Sequence, residues 1–196
     1  MDTYQHRLGY KILDSFCSET CQIRLKAGDV LITDDLVHKI IGLPLGDRDI
    51  ELKEGKIAKT DWDKQYDSTS ISPGMIRTAI QKSKRADNNF KMNFLMLVYN
   101  FFIEANQNRF VTRKMLSFPG SLDECGNYNW CKLLVEKLRK THDFWARKKH
   151  IRNFAGPLAF LIMIMCYVSL DSMLSPDNYI QQYMNCKKEE FSCESD

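Results

Sequence analysis

One stretch near the middle of the chain, from Phe90 to Ala105, is apolar at almost every position. A helix on a protein surface has apolar residues on one side only, so a stretch without a polar side predicts a helix that is buried all round. Such a helix needs neighbours on every side, and 196 residues are enough for one domain with a core of that kind. We therefore expect one domain built around residues 90–105.

Helical spacing of apolar residues recurs along most of the remaining sequence. Helices are expected at about residues 8–18, 34–41, 72–84, 156–170 and 179–184, and a long amphipathic helix is expected from Tyr128 onward. Two short alternating segments flank a Lys-Ala-Gly-Asp turn, which is typical of a β-hairpin at about residues 23–32. The predicted fold class is therefore mainly α, a single helical domain with one small N-terminal β-hairpin.

The expected domain covers residues 1–175 and contains a polar loop at about residues 46–71. Trp62 and Tyr66 lie in this loop, and we expect them to attach it to the core. Residues 176–196 are expected to form a short helix followed by an acidic polar tail.

The composition is that of an ordinary globular protein, with 44% hydrophobic residues, 27% charged residues and a net charge of +3. The seven cysteines follow no zinc-finger spacing, and no N-terminal apolar segment resembles a secretory signal, which indicates a reducing compartment. Cys17 and Cys21 could share a helix face, with His6 or His38 as further metal ligands. Structural zinc sites usually show two tight ligand pairs, so reduced thiols are the preferred interpretation, and neither metal nor cofactor is expected.

Residues 153–170 contain no charged side chain and follow the basic segment 147–152, so they have to be tested as a membrane span. A spanning helix needs roughly 20 apolar residues. Pro157 fits the first turn of a helix, which leaves only about 14 residues to Leu170. A second core helix is therefore expected here, and membrane anchoring is kept as an alternative.

The sequence contains no P-loop, no dinucleotide-binding glycine motif, no HExxH and no GxSxG. Cys131, His142 and Asp143 have the residue types of a thiol-hydrolase triad, but all three lie on one predicted helix. Eleven residues of helix separate Cys131 from His142 by roughly 16 Å, too far for direct proton transfer. We therefore expect no catalysis, with Cys131 in the core and His142 on the surface. A remnant thiol hydrolase that uses Cys131 or Cys17 remains an alternative.

His38 and the acidic residues around Trp62 are interpreted as surface residues rather than as functional sites. His38 is expected to be an ordinary residue of a helix surface rather than an acid or base. Asp61, Asp63 and Asp67 surround Trp62, but the glycine and glutamate of an EF-hand loop are missing, so a solvated charged loop is expected there.

Eight Lys or Arg residues occur between Lys132 and Arg152 against two acidic residues, a local excess of six positive charges. Such a helix can contact nucleic-acid phosphates, and Trp145 beside the cluster could stack on a base. The candidate nucleic-acid-binding residues are Lys137, Arg139, Lys140, Arg147, Lys148, Lys149 and Arg152. A solvated helix face explains the same charges, and Trp145 also continues the apolar stripe, which makes it a core residue first.

A capped short helix and a tight corner cover residues 33–46. Thr33 is placed to cap the helix, Asp34 lies at its positive end, and Gly42 supplies the left-handed residue that ends it. These features predict packing rather than chemistry, and the apolar side of the helix is expected to be buried against residues 90–105. The residues concerned are Leu36, Ile40, Leu43 and Pro44.

Three elements, in this order, resemble the plant mobile domain, also labelled aminotransferase-like. The first contains Thr33, Asp34, Gly42, Leu43, Pro44 and Gly46; the second is Asn129-Trp130; the third begins at Gly156-Pro157 and continues to Tyr167 and Asp171. The resemblance covers about residues 8–172, and Leu36 stands where that family often has valine.

The resemblance implies a transposon-derived, non-catalytic interaction module without the protease that often accompanies this domain. It implies a nuclear location, with the cytoplasm as the alternative, and a role in transposon silencing or genome stability through protein or chromatin partners, a phosphatase among them. The aminotransferase label implies no activity, because no pyridoxal-phosphate site is recognisable. Direct DNA or RNA binding through the basic helix 132–152 is the alternative function, and the oligomeric state is left open.

Overall fold

The computed structural model describes residues 2–25, 28–105, 108–148 and 154–174, with side-chain burial given for residues 9–168 of these ranges. The helices are α1 Asp2–Ser15, α2 Asp34–Ile41, α3 Pro73–Lys82, α4 Asn88–Val98, α5 Trp130–Lys148 and α6 Leu158–Leu174. The strands are β1 Phe16–Cys17, β2 Gln22–Leu25 and β3 Gly28–Leu31. Short 3-10 helices cover Asp61–Gln65, Lys114–Ser117 and Leu122–Asn127, and a π-helical turn covers Tyr99–Ile103. This architecture confirms the predicted mainly α class; the predicted helix at 179–184 and tail 176–196 lie outside the described residues.

The three strands form one antiparallel sheet in the order β1-β2-β3. Strands β2 and β3 are the predicted hairpin, with Ile23 opposite Val30. Strand β1 replaces the last turn of the helix predicted at residues 8–18. Phe16 leaves the helix because its side chain is buried beside Ile23, its partner in β2.

The predicted starts of α2 and α3 are confirmed by their capping residues. Thr33 Oγ1 accepts a hydrogen bond from the Leu36 N–H at 3.1 Å, and Gly42 ends α2 in the left-handed conformation at φ 76°. Ser72 accepts a hydrogen bond from the Met75 N–H at the start of α3. Each cap satisfies a backbone group that the helix end would otherwise leave unpaired.

Helix α6 packs on α1 and α2. Phe160, Leu161 and Ile164 form its buried side, so residues 158–168 contribute to the core. Helix α6 has 17 residues, and none of the helices in the described ranges combines the length and the apolar character that a membrane crossing requires.

The helix predicted as buried all round has one exposed side. Helix α4 ends at Val98, and the π-helical turn continues it to Ile103. Leu95 and Met96 are buried, but three phenylalanines of the same segment are exposed. The prediction is wrong because the elements that pack on α4, α3 and two of the 3-10 helices among them, leave the side of Phe94 uncovered. Apolar content alone does not reveal how many neighbours a helix has.

Helix α2 has α5 and α6 as its main packing partners. Val37 is its fully buried residue, whereas the four residues expected to be buried against residues 90–105 are only half-buried. These four are Leu36, Ile40, Leu43 and Pro44. The expected partner is wrong because the spacing of apolar residues identifies the buried side of a helix but not the element that covers it.

The polar loop is attached to the core, as its aromatic residues predict. Trp62 is buried, and its Nε1–H donates to Asn93 Oδ1 on α4 at 2.6 Å. Tyr66 donates its hydroxyl hydrogen to the same oxygen at 2.8 Å. Asn93 also donates to Gln65 at 2.9 Å, so one buried amide holds the 3-10 helix of the loop against α4.

Candidate functional surfaces

The motif residues around Gly46 and Trp130 meet where the turn after α2 passes the start of α5. The Gly46 N–H donates to the Tyr128 carbonyl at 3.2 Å, and the Trp130 N–H donates to the Pro44 carbonyl at 3.1 Å. A Cβ on Gly46 would lie 2.1 Å from the backbone carbon of Asn127. Glycine is needed here for close approach of two backbones, which leaves no space for a ligand between them.

Asn129 joins α5 to α2. Its Oδ1 accepts a hydrogen bond from the Lys132 N–H at 2.7 Å, which caps α5, and its Nδ2 donates to Asp34 at 2.9 Å. At the start of α6, a Cβ on Gly156 would lie 2.6 Å from the Thr141 side chain. The motif residues of the sequence are therefore packing residues.

Cys131 is buried in the core on α5 and its thiol donates to the Leu43 carbonyl at 3.3 Å. Burial, together with the negative charges of Asp34 and Asp35, raises the pKa of this thiol to about 11. At neutral pH the group is a thiol rather than a nucleophilic thiolate.

His142 is buried rather than on the surface, and this expectation is wrong. Its Nε2 lies 2.9 Å from the Leu13 carbonyl oxygen, and its ring packs edge-on against Phe16. Asp143 points elsewhere, to Arg147 at 2.5 Å. The three residue types of a thiol-hydrolase triad therefore do not come together.

Two of the three acidic loop residues form ion pairs. Asp61 contacts Lys64 at 2.6 Å, and the half-buried Asp63 contacts Arg113 at 2.5 Å. His38 is exposed, and its Nδ1 lies 2.6 Å from the Leu43 carbonyl oxygen. Within the part of the chain that the structure describes, no three His, Cys, Asp or Glu side chains are grouped to hold a metal ion.

The basic residues of α5 divide into two sets. Lys137 lies 2.9 Å from Glu104, and Arg139 donates to the backbone carbonyls of the turn between β1 and β2, so both contribute to the packing of the domain. The second set is exposed and consists of Lys140, Arg147 and Lys148; Arg139 is exposed as well, but its guanidinium is held by the turn. Lys149 and Arg152 lie outside the described residues.

Phe144 lies on α5 among these exposed cations. The residue is 48% exposed, and Lys148 Nζ lies 5.0 Å from the centroid of its ring. Trp145, which the sequence suggested as a stacking residue, is buried and contacts Tyr10 and Phe154. The exposed aromatic residue is therefore Phe144, the neighbour of the tryptophan that the sequence suggested.

Three exposed phenylalanines lie along α4 and the π-helical turn, and we call them the aromatic face. Phe94 and Phe101 are each 56% exposed, and Phe102 is 46% exposed. Phe94 and Phe101 are seven residues apart, a spacing that returns to the same side of a helix. The half-buried Phe90 and Leu97 fall on that side as well. No reasoning from the sequence identified this face, because the whole segment was expected to be buried.

Buried polar contacts hold the π-helical turn that carries the aromatic face. Asn100 accepts a hydrogen bond from the Thr112 N–H at 2.7 Å and donates to the Met96 carbonyl at 2.9 Å. Just beyond the turn, Glu104 accepts a hydrogen bond from the Tyr99 hydroxyl at 2.7 Å. The exposed aromatic side chains therefore project from a backbone that is fixed from the inside.

Glu104 is an ionised carboxylate that is largely buried, with its side chain 13% exposed. Burial opposes its charge, but hydrogen bonds from Lys137 and Tyr99 and the positive charges of Lys137 and Lys114 outweigh burial and lower the pKa of Glu104. Burial of Tyr99 raises the pKa of its hydroxyl, and the hydrogen bond to Glu104 and the negative charge of Glu104 act in the same direction. The cluster links the end of the π-helical turn to α5.

Comparison of the sequence with known families places residues 1–162 in a family described as Domain of unknown function (DUF8566). The chain belongs to this family. No curated protein and no solved structure matches this chain.

The membership corrects the interpretation of the motifs. The resemblance to the plant mobile domain is wrong, because the matched family is a different one, and its match covers the first two motif elements and the start of the third. The transposon, chromatin, phosphatase and nuclear expectations depended on that resemblance and now have no support. Nuclear and cytoplasmic location remain untested.

Proposed function

We propose that this member of the DUF8566 family is a non-catalytic protein-interaction module, and that the aromatic face on α4 and the π-helical turn is its binding surface. The observation that carries the proposal is the exposure of Phe94, Phe101 and Phe102 on one side of a fixed helical segment. Large aromatic side chains contribute much of the binding energy of protein interfaces. A patch of exposed apolar side chains on a protein surface often marks a site of interaction.

The chemistry around the aromatic face indicates the kind of partner. Lys82, Lys84 and Arg85 are exposed immediately before α4, and Asp87 in the same stretch serves as the helix cap. A segment with apolar side chains and an acidic flank would match both the phenylalanines and this positive end. We therefore propose a partner segment of that composition from another protein.

The test is a selection from a displayed library of random peptides against the full chain. The expected result is enrichment of peptides that combine aromatic or aliphatic residues with Asp or Glu. Their affinity should fall at least about tenfold in the variant Phe94→Ser/Phe101→Ser, since two interface aromatics often contribute more than 1.4 kcal/mol. Phe110→Ser provides the matched control, because Phe110 is an exposed phenylalanine outside the face.

Three outcomes would contradict this proposal. One is the absence of enriched peptides, and another is equal binding to wild type and to the double variant. The third is self-association of the wild type, measured by analytical ultracentrifugation, that disappears in the double variant, because the face would then bind a second copy of the chain.

A second candidate function has its own supporting observation. The exposed Phe144 lies among Lys140, Arg147 and Lys148, which sit three or four residues from it along α5. An exposed aromatic ring between cations matches proteins that stack bases and neutralise phosphates of single-stranded nucleic acid. We propose this surface as the nucleic-acid-binding alternative, with Phe144 in the stacking role.

Fluorescence anisotropy with a labelled oligothymidylate tests the alternative. Binding should weaken steeply with salt and should be lost in Lys140→Ala/Arg147→Ala/Lys148→Ala, because phosphate contacts release counterions. A charge-matched control replaces the exposed loop residues Lys53, Lys56 and Lys59 by alanine. Equal loss in both triple variants, or no binding at low salt, would exclude a specific role for this surface.

A further inference from the structure

The aromatic face is one side of a continuous helical segment, since α4 and the π-helical turn follow one another from Asn88 to Ile103. Four apolar residues of this segment recur at intervals of four, three and four residues, and we call them the heptad seam. They are the half-buried Phe90 and Leu97 and the exposed Phe94 and Phe101. These are the intervals of the a and d positions of a heptad, along which one helix packs against another.

The π-helical turn brings Phe102 toward the heptad seam. The Glu104 N–H donates to the Tyr99 carbonyl at 2.7 Å, five residues back instead of the four of an α-helix. Because this turn holds more residues, each of them advances less around the helix axis than in an α-helix. Phe102 therefore lies closer to the line of Phe94 than an uninterrupted α-helix would place it. The rise from Phe90 to Phe102 is roughly 18 Å.

The heptad seam offers apolar side chains rather than hydrogen-bonding groups. The polar side chains between Phe90 and Phe102 are already bonded within the chain, and they are Lys91 with Asp123, Asn93 with Trp62, Tyr99 with Glu104, and Asn100 with Thr112. The backbone N–H and C=O groups of a helix are bonded along its axis. A partner that lies on the seam is therefore held by its side chains.

This restriction selects the conformation of the partner segment. An extended segment on the seam would press its own backbone N–H and C=O groups against apolar side chains, where they lose water and gain no hydrogen bond. An α-helix bonds its backbone internally and presents side chains alone. The seam therefore fits a helix better than a strand.

The charges at the two ends of the seam favour a partner helix with an acidic end over a second copy of this chain. Three exposed cations precede α4, and they are Lys82, Lys84 and Arg85. A parallel copy would place these cations beside their equivalents. An antiparallel copy would place them at the end of the π-helical turn, where Glu104 is already paired with Lys137. Acidic residues in the first turn of a partner helix would pair with the cations and also favour that helix's own dipole.

We propose that the segment bound by the aromatic face is an amphipathic α-helix of another protein, with apolar residues at heptad spacing and acidic residues in its first turn. The inference rests on the proposed function, because it names the conformation of the segment that the face binds. Short helices are marginal in water when isolated. The partner segment therefore gains helix content when it binds.

The first test selects binders to the full chain from two displayed libraries. Both use a helical host of about 16 residues made of Ala, Glu and Lys, with an acidic first turn and varied apolar residues at the a and d positions. In the second library, one central alanine is replaced by proline, which interrupts a helix. Enrichment is expected from the first library only. The same proline placed in the best binder should lower its affinity at least about tenfold.

Circular dichroism of that binder mixed with the full chain gives an independent readout. The signal at 222 nm should exceed the sum of the two separate signals, because the peptide becomes helical on binding. The variant Phe94→Ser/Phe101→Ser should abolish the excess, and Phe110→Ser, outside the face, should keep it.

The second test addresses the acidic first turn. The variant Lys82→Gln/Lys84→Gln/Arg85→Gln should weaken the binder about fivefold, and should change the affinity of a peptide with glutamine in its first turn less than about twofold. The variant Lys53→Gln/Lys56→Gln/Lys59→Gln is the charge-matched control, because these three lysines are exposed in the loop. Equal weakening by both triple variants would contradict the charge contact.

The outcomes separate this inference from the proposed function. Binders from the proline library that lose affinity in Phe94→Ser/Phe101→Ser would overturn the helix and leave the binding face in place. Failure of both libraries, while random peptides still bind through the face, would do the same, as would binding without an excess in the dichroism signal. Binders that the double variant does not weaken would contradict the face itself, and with it the proposed function.

Discussion

Asn129 Nδ2 donates a hydrogen bond to Asp34 Oδ2 across 2.9 Å, although 95 residues separate the two along the chain. The other atom of the same amide, Oδ1, caps α5 by accepting from the Lys132 N–H. One side chain therefore starts one helix and ties it to the first turn of another. Several polar residues of this protein have such a double role, and these positions give the clearest tests of the structure.

Replacement of Asn129 by alanine should lower the free energy of unfolding by about 1–2 kcal/mol, because α5 loses its cap. Urea denaturation followed by circular dichroism measures the change. Asn89→Ala is the matched control, since Asn89 is exposed on α4 and should cost less than about 0.5 kcal/mol. Equal destabilisation by the two variants would contradict the capping role.

Replacement of Asn93 by leucine should cost about 2–4 kcal/mol, since the buried Trp62 Nε1–H and the partly buried Tyr66 hydroxyl would both lose their acceptor. The loop should also become more mobile around Trp62. Proteolysis of the loop and the intrinsic tryptophan fluorescence report this change separately from global unfolding. A variant that keeps wild-type protease resistance in the loop would show that Asn93 does not hold it.

Gly46→Ala should be strongly destabilising, by several kcal/mol, because a Cβ at this position would lie 2.1 Å from the backbone carbon of Asn127 and 2.2 Å from its oxygen. Gly126→Ala is the control on the facing segment, as a Cβ there would meet no atom within 4 Å. Thermal unfolding compares the two. Similar melting temperatures for both variants would mean that the two backbones are further apart than described.

Glu104→Gln should lower stability at pH 7 by on the order of 2 kcal/mol, and the difference from wild type should shrink in acid. The folded pKa of Glu104 lies below its ordinary value of 4.5, so its stabilisation is fully present above pH 4.5 and is lost as pH falls through the folded value. Denaturation between pH 3 and 7 measures the effect. Glu124→Gln, at an exposed pair with Arg48, should show a much smaller pH dependence.

Local sequence signals predicted the ends of several elements correctly. Thr33, Gly42 and Ser72 cap helices where their side chains or backbone freedom indicate, and the hairpin of β2 and β3 lies where its turn residues indicate. These signals depend on neighbours within about four residues, and local chemistry alone is enough to read them.

The same signals supported the wrong family. Gly42 is required for the left-handed end of α2, and Gly46 is required for close approach to the start of α5. Unrelated proteins can meet such requirements with similar short phrases, because the requirements are geometric. A match over residues 1–162 carries more information than three short elements in order.

Both candidate surfaces depended on facts that local patterns do not contain. The sequence located the basic cluster on α5, but only the packing showed that Lys137 turns to Glu104 and Arg139 to the β1–β2 turn, and that Phe144 rather than Trp145 is exposed. The apolar content of residues 90–105 is fully visible in the sequence. Which of its phenylalanines meet solvent depends on the elements that pack against α4 from elsewhere in the chain.

The sequence by itself determined where α2 and α3 begin, where the hairpin of β2 and β3 forms, and that α5 carries an excess of positive charge. Only the tertiary structure decided that Asn129 reaches Asp34, that His142 is buried, and that the aromatic face is left uncovered. The physical reason is range: helix caps and turns are set by bonds between residues close in the chain. Burial is set by contacts between residues far apart, and the spacing of apolar residues does not specify those partners.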